Sequence, residues 1–336
     1  MDTMTRWILA FFLLTGMASA EVNTEIVLAP KPPRTLEAFG FFEDPSTMRP
    51  SKGVVRYDIT APLFSDYAEK DRFIYTPEVL DPDTDGILPF PIGSALIKTF
   101  RYGTRKVETR VLIHKDTGWV GYPYLWNEDG AEAKLKLAGA NLRLDTSFGM
   151  IEYRVPNFNQ CGGCHTNAHG KITPIGPRPR HLAKEGQLEH LVQAGVITHV
   201  PDVIPTPDYR DNNLPLERRA RSYLEANCAH CHAQGLPADT SGLYLNLEED
   251  RPLHLGVHKR PVAAGRGSGG LLVDIDPGRP EKSILYFRMN SLDPGVMMPE
   301  LGRSTLDQEG LDLIAAYIRS LDPKSDPTKV ELTSND

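Results

Sequence analysis

The chain has 336 residues, four of them cysteine, and a formal charge of −7. An acidic balance argues against nucleic acid as a partner and points instead to a basic redox protein or to docking through a local patch. The length exceeds one typical core, so two or three domains are expected.

Residues 1–20 begin with the short basic start Met1 to Arg6, continue through the apolar run Trp7 to Leu14, and close on Ala18-Ser19-Ala20. These are the parts of a cleavable secretory signal, and the run is too brief to span a bilayer comfortably. No later stretch approaches a membrane-spanning length. A periplasmic chain without a membrane span after cleavage is therefore expected. Asp2 and Arg6 cancel, so cleavage leaves the formal charge unchanged.

From residue 21 to residue 150 the pattern is that of a β-rich domain. Pro30 to Pro33 favour an extended start, and the charged, aromatic segment Pro62 to Phe73 fits a helical turn or a loop over a sheet. Val107, Thr109, Val111 and Ile113 alternate with Glu108, Arg110, Leu112 and His114, as in a strand with one wet face. Gly103 to Lys106, Asp116 to Gly118 and Asn127 to Gly130 are turns, so the strands should form an antiparallel meander. Trp119, Tyr122, Tyr124 and Trp126 could form a shelf for a flat ligand, but aromatic residues in strands are more often core.

The strand face Ile151, Tyr153 and Val155 leads into Cys161-Gly162-Gly163-Cys164-His165. CxxCH is a c-type haem attachment signature. Two thiols at this spacing can add to the two vinyl groups of one haem, and the following histidine can ligate the iron. His165 is the expected proximal ligand. The sixth ligand is open among Met150, His181 and His199, and this iron could also lack a protein ligand there. Arg178 and Arg180 could meet haem propionates or belong to a rigid solvated loop.

After a proline- and aspartate-rich linker from Pro201 to Pro215, the apolar face Leu216, Ala220, Tyr223 and Leu224 marks a helix. It delivers Cys228, Cys231 and His232 in the same CxxCH spacing. The two motifs use every cysteine in the chain. Disulfides, a thioredoxin-type couple or a zinc site would not need a histidine at each +1 position. Two covalently attached haem c groups are thus the expected cofactors. Residues 240–247 and 270–275 read as short strands, 265–270 as a glycine-rich turn, and 280–289 as a short helix. Met298, followed by Pro299, holds a place similar to that of the thioether ligand in class I cytochromes c, with Met297 as the alternative. A final helix should start at Thr305, with Gln308 completing a capping box. Its apolar stripe is Leu311, Ile314, Ala315, Ile318 and Leu321.

The chain resembles a bacterial family of secreted dihaem c-type cytochromes. The resemblance rests on 63–68 (LFSDYA), 97–100 (IKTF), 161–165 with 174–177 (PIGP), 226–232 (ANCAHCH) and 297–303 (MMPELGR). It implies an α+β multidomain fold, in which an antiparallel β-rich N-terminal domain (21–150) precedes mainly α-helical cytochrome c-type haem modules at 151–210 and 211–325. The implied activity is single-electron transfer between a periplasmic dehydrogenase and an acceptor, with no catalytic residues assigned. The rival is a dihaem enzyme of peroxidase type with an open sixth position at the first haem.

Overall fold

The computed structural model describes residues 21–167 and 169–324, so the segment read as a secretory signal lies outside the described residues. Helix α1 (Thr24–Leu28) starts where the Asn23 side chain accepts from the Ile26 N–H. A small hairpin of β1 (Phe42–Asp44) and β2 (Arg49–Pro50) follows. Six antiparallel strands then pair in chain order: β3 (Val54–Tyr57), β4 (Glu69–Tyr75), β5 (Ala95–Tyr102), β6 (Arg105–Lys115), β7 (Gly118–Trp126) and β8 (Ala133–Leu135). Gly103 and Gly118, at φ 57° and 106°, supply the left-handed backbone that closes two of these hairpins. β9 (Ala140–Thr146) and β10 (Gly149–Val155) form a separate two-stranded sheet.

Both faces of the meander are covered, because side chains alternate across a strand and each set meets a different segment. Phe73, Ile97, Val111, Tyr122 and Tyr124 pack with Val27, Phe39 and Phe41 from the N-terminal stretch. Val55, Ile74 and Leu96 pack on the other side with Leu182, Leu188, Leu191 and Ile197. Each fully buried aliphatic side chain contributes roughly 1.5–3 kcal/mol, so the later segment is fastened to the sheet by apolar burial. The face bearing Glu108, Arg110 and Leu112 is therefore not wet, and Glu108 is completely buried. Tyr122, Tyr124 and Trp126 are core, while half-buried Trp119 stacks on His114 with ring centres 4.7 Å apart.

The expectation of mainly α-helical haem modules is overturned. Between residues 151 and 210 the helices are α2 (Gly162–His165), α3 (Pro179–Leu182) and α4 (Gln187–Gln193), only 4, 4 and 7 residues long. Prolines at 174, 177, 201, 205 and 207 interrupt the backbone hydrogen bonding that longer helices need. Beyond residue 210, α5 (Leu216–Asn227), α6 (Ile284–Met289) and α7 (Gln308–Ser320) have 12, 6 and 13 residues. The stretch from Cys228 to Ser283 holds only 3₁₀ turns and isolated bridges such as Val257 with Ile275, where short strands were expected. The boundary drawn at residue 150 falls inside β10, and α3 and α4 share a core with the sheet.

Helices α5 and α7 pack through Ala220, Tyr223 and Leu224 against Leu311, Ile314 and Ile318. A Cβ added at Gly310 would lie 2.3 Å from the Tyr223 hydroxyl, so the close crossing requires glycine there. The cap of α7 is Asp307, whose carboxylate accepts from the Gly310 N–H at 3.0 Å, rather than Thr305. Thr305 instead binds Asp66. Among the described residues, no helix is long and apolar enough to cross a membrane.

Candidate functional site

A cavity of about 960 Å³ opens between the sheet and the C-terminal segment. Its volume is at the top of the roughly 300–1,000 Å³ range of small-molecule and cofactor sites. Cys161, Cys164 and His165 line it together with Cys228, His230 and Met298. Cys231 and His232 do not, yet the Sγ of Cys231 is 4.0 Å from the Gly163 carbonyl oxygen, so the two motifs abut. All four thiols are unpaired.

The first motif follows a capping box between Asn157 and Gln160, which turns the chain from β10 into α2. Cys161 sits over Gly121 of β7, where an added Cβ would stand 3.1 Å from its Sγ. His165 Nδ1 is 2.8 Å from the Thr173 carbonyl oxygen. A carbonyl only accepts, so Nδ1 donates its proton and Nε2 keeps a free lone pair.

The second motif is delivered by α5. Its last residue, Asn227, accepts from the Phe64 N–H at 2.8 Å and donates to the Tyr223 carbonyl at 3.0 Å. His232 Nδ1 lies 3.4 Å from the Ser241 hydroxyl, which donates its own proton to Ala238 O. The imidazole is thus the donor there, and it also meets the Leu243 backbone. Burial pushes His165, His230 and His232 each down to about 4, which leaves all three rings neutral at pH 7.

Burial also pushes Cys228 up to about 12 and Cys231 up to about 11, and raises Cys161 and Cys164. Protonated thiols are the opposite of the low-pKa thiolate that a thioredoxin-type couple uses. Among the described residues the converging metal-ligand side chains are Asp81, Asp83 and His199, all exposed, and no cysteine joins such a group.

Met298 lines the cavity, whereas Met297 is buried outside its lining. The Met298 carbonyl accepts from Arg303 Nη2 at 2.9 Å, and its N–H donates to Arg288 O at 3.0 Å. Arg303 also holds the carbonyls of Ser291 and Thr305, at 2.9 and 3.1 Å. The positions considered for the first sixth ligand are not brought to the cavity with a free donor. Met150 is 52% exposed on the β9–β10 hairpin, and exposed His199 pairs with Asp83 at 3.0 Å. His181 does line the cavity, but Nε2 is 3.6 Å from Glu225 and Nδ1 accepts the Arg178 N–H at 3.5 Å.

Two features of the wall were missed in the sequence. The first is a row of cations: Arg72 pairs in register with Lys98, and Lys98 with Arg110, so three like charges lie across adjacent strands on the cavity face. Such neighbours repel. Arg110 is held by Glu108 at 2.8 and 2.9 Å, and Arg72 by Asp58 at 3.2 Å. Lys98 has no hydrogen-bond or ion-pair partner among the described residues, and burial plus the two guanidiniums push it down to about 7. The second is His230, whose Nδ1 is buried without a partner, as is Nε of Arg178. A buried polar atom left unpaired costs roughly 1–3 kcal/mol. The period-two placement of 72, 98 and 110 was the available signal for the row.

No family model, no curated protein and no solved structure matches the chain.

Proposed function

We propose that the chain holds two c-type haems and passes single electrons in the periplasm between a dehydrogenase and a terminal acceptor. The observation that carries this reading is the meeting of two CxxCH motifs beside one cavity, with Cys231 against Gly163. The donor set fits the group: four protonated thiols, two neutral imidazoles, a thioether, and a cationic row suited to propionates.

The four cysteines would hold the two groups, each thiol adding across one vinyl double bond with sulfur on one carbon and hydrogen on the other, which would need no oxidant. When bound, haem supplies a one-electron iron couple whose potential is set by its axial ligands and surroundings. His165 and His232 would hold the two irons, with Thr173 orienting the first ring and Ser241 the second. Met298 would hold the second haem through its thioether, a ligand that would raise the potential relative to a second imidazole. Arg72, Lys98, Arg110 and Arg178 offer partners for the propionates and lower the cost of placing those carboxylates in the cavity.

The test is spectroelectrochemical titration of the holoprotein, followed by carbon monoxide and peroxide. A carrier takes up one electron per haem, leaves its reduced spectrum unchanged by carbon monoxide, and does not turn over peroxide. Carbon monoxide binding at one haem with peroxide turnover would favour the peroxidase-type reading instead.

A further inference from the structure

We propose that His230, a residue of the second cysteine motif, is the sixth ligand of the iron held by the first motif. The inference rests on the two-haem reading above and assigns a residue that reading leaves without a role. His230 faces the cavity that Cys161, Cys164 and His165 line, and its Nδ1 is buried with no hydrogen-bond partner. Its own motif already supplies Cys228, Cys231 and His232 to the second haem. The contact of Cys231 with Gly163 places the Ala229-His230 turn beside the first motif.

Apart from Lys98, which has no partner among the described residues, the other cavity donors are committed elsewhere. His181 is held between Glu225 and the Arg178 N–H. Met298 belongs to the loop braced by Arg303, and Met289 is buried in the core that α6 shares with α5 and α7. Lys98 is one of three cations in register on the sheet. His230 is the remaining imidazole. A ligand lent from one motif to the other also makes the first iron site incomplete until the second motif has docked.

The experiment uses full-length holoprotein, wild type and His230→Ala, with haem content per chain, spin state and carbon monoxide binding as readouts. Wild type should be low-spin at both irons and inert to carbon monoxide when reduced. His230→Ala should keep two haems, turn one of them high-spin and reactive to carbon monoxide, and return to low-spin on addition of imidazole. His181→Gln should leave both irons low-spin. Magnetic circular dichroism of the wild type needs no variant, and should show one iron with two imidazoles and one with imidazole plus thioether. Two low-spin, inert irons in His230→Ala, or no bis-imidazole iron in the wild type, would overturn the assignment. A wild-type chain without covalent haem overturns the carrier reading itself, and is told apart because it precedes any substitution.

Discussion

The sulfur of Cys231 lies 4.0 Å from the carbonyl oxygen of Gly163, although the two residues stand 68 positions apart in the chain. The sheet carries one motif, α5 carries the other, and both are pressed against the same cavity. Replacing Cys161 and Cys164 by alanine should therefore remove one haem and leave one. Replacing Cys228 and Cys231 should do the same. Because the motifs abut, each double variant should also shift the midpoint potential of the haem that remains. Intact mass and redox titration check both outcomes, and an unshifted potential would argue that the two sites do not sense each other.

Lys98→Met removes the partnerless centre of the cationic row. Without haem, the variant should be more stable than the parent, since a charge held between Arg72 and Arg110 is gone. With haem, loss of a nearby positive charge should lower one midpoint potential. A loss of about 1 kcal/mol corresponds to roughly 40 mV for one electron. Denaturant melts of the haem-free chain and potentiometry of the holoprotein measure the two effects, which have opposite signs.

Asp66 joins the sheet domain to the loop that precedes α7. Its carboxylate accepts from the Ser304 and Thr305 N–H groups at 2.7 and 2.8 Å, and from their hydroxyls at 3.0 and 2.8 Å. It adopts φ 51°, a left-handed backbone uncommon outside glycine, and Tyr67 beside it adopts φ 62°. Asp66→Ala should cost about 3 kcal/mol in denaturant unfolding through loss of these charge-assisted bonds. A cost near zero would show that the clamp is dispensable.

Arg303→Gln should release the Met298 loop, because the guanidinium holds the carbonyls of Met298 and Ser291. The expected signature is a lower potential at the second haem and new carbon monoxide binding there, with His165-side spectra unchanged. Full retention of the thioether signature would remove Arg303 from this positioning role.

Glu225 lies at the junction of α5 and α3. Burial alone would raise its carboxyl, but the His181 contact and the Arg180 and Arg178 guanidiniums bring it down to about 2 from an ordinary 4.5. A depressed carboxylate contributes stability that is present in full above pH 4.5 and is lost as pH falls toward 2. That contribution is about 3 kcal/mol. Glu225→Gln should be less stable than wild type at pH 7 and show a flatter acid limb over this window. Parallel acid limbs for the two proteins would refute the linkage.

The meander was legible because Val107 to Ile113 alternate cleanly and glycine turns punctuate the strands. The two CxxCH motifs were legible because the chemistry lies within five consecutive residues each. What covers the second sheet face was not, since alternation gives the parity of that face but not the segment, 182–197, that returns to close over Val55, Ile74 and Leu96. The short helices were misjudged because prolines and glycines limit helix length more strongly than the presence of haem motifs extends it. Met150, His181 and His199 were left open as sixth ligands because axial pairing is spatial and sequence spacing does not fix it. His230 also lines the cavity from inside the other motif, a placement visible only once the Cys231 to Gly163 contact brings the two motifs together.

The most direct test of the account is the haem content of the chain produced in a host that matures c-type cytochromes, measured by alkaline pyridine spectrum and intact mass. Two covalent haem c groups per chain are expected, both lost from a variant lacking all four cysteines. A chain recovered with no covalent haem, or with its thiols paired or bound to zinc, would contradict it.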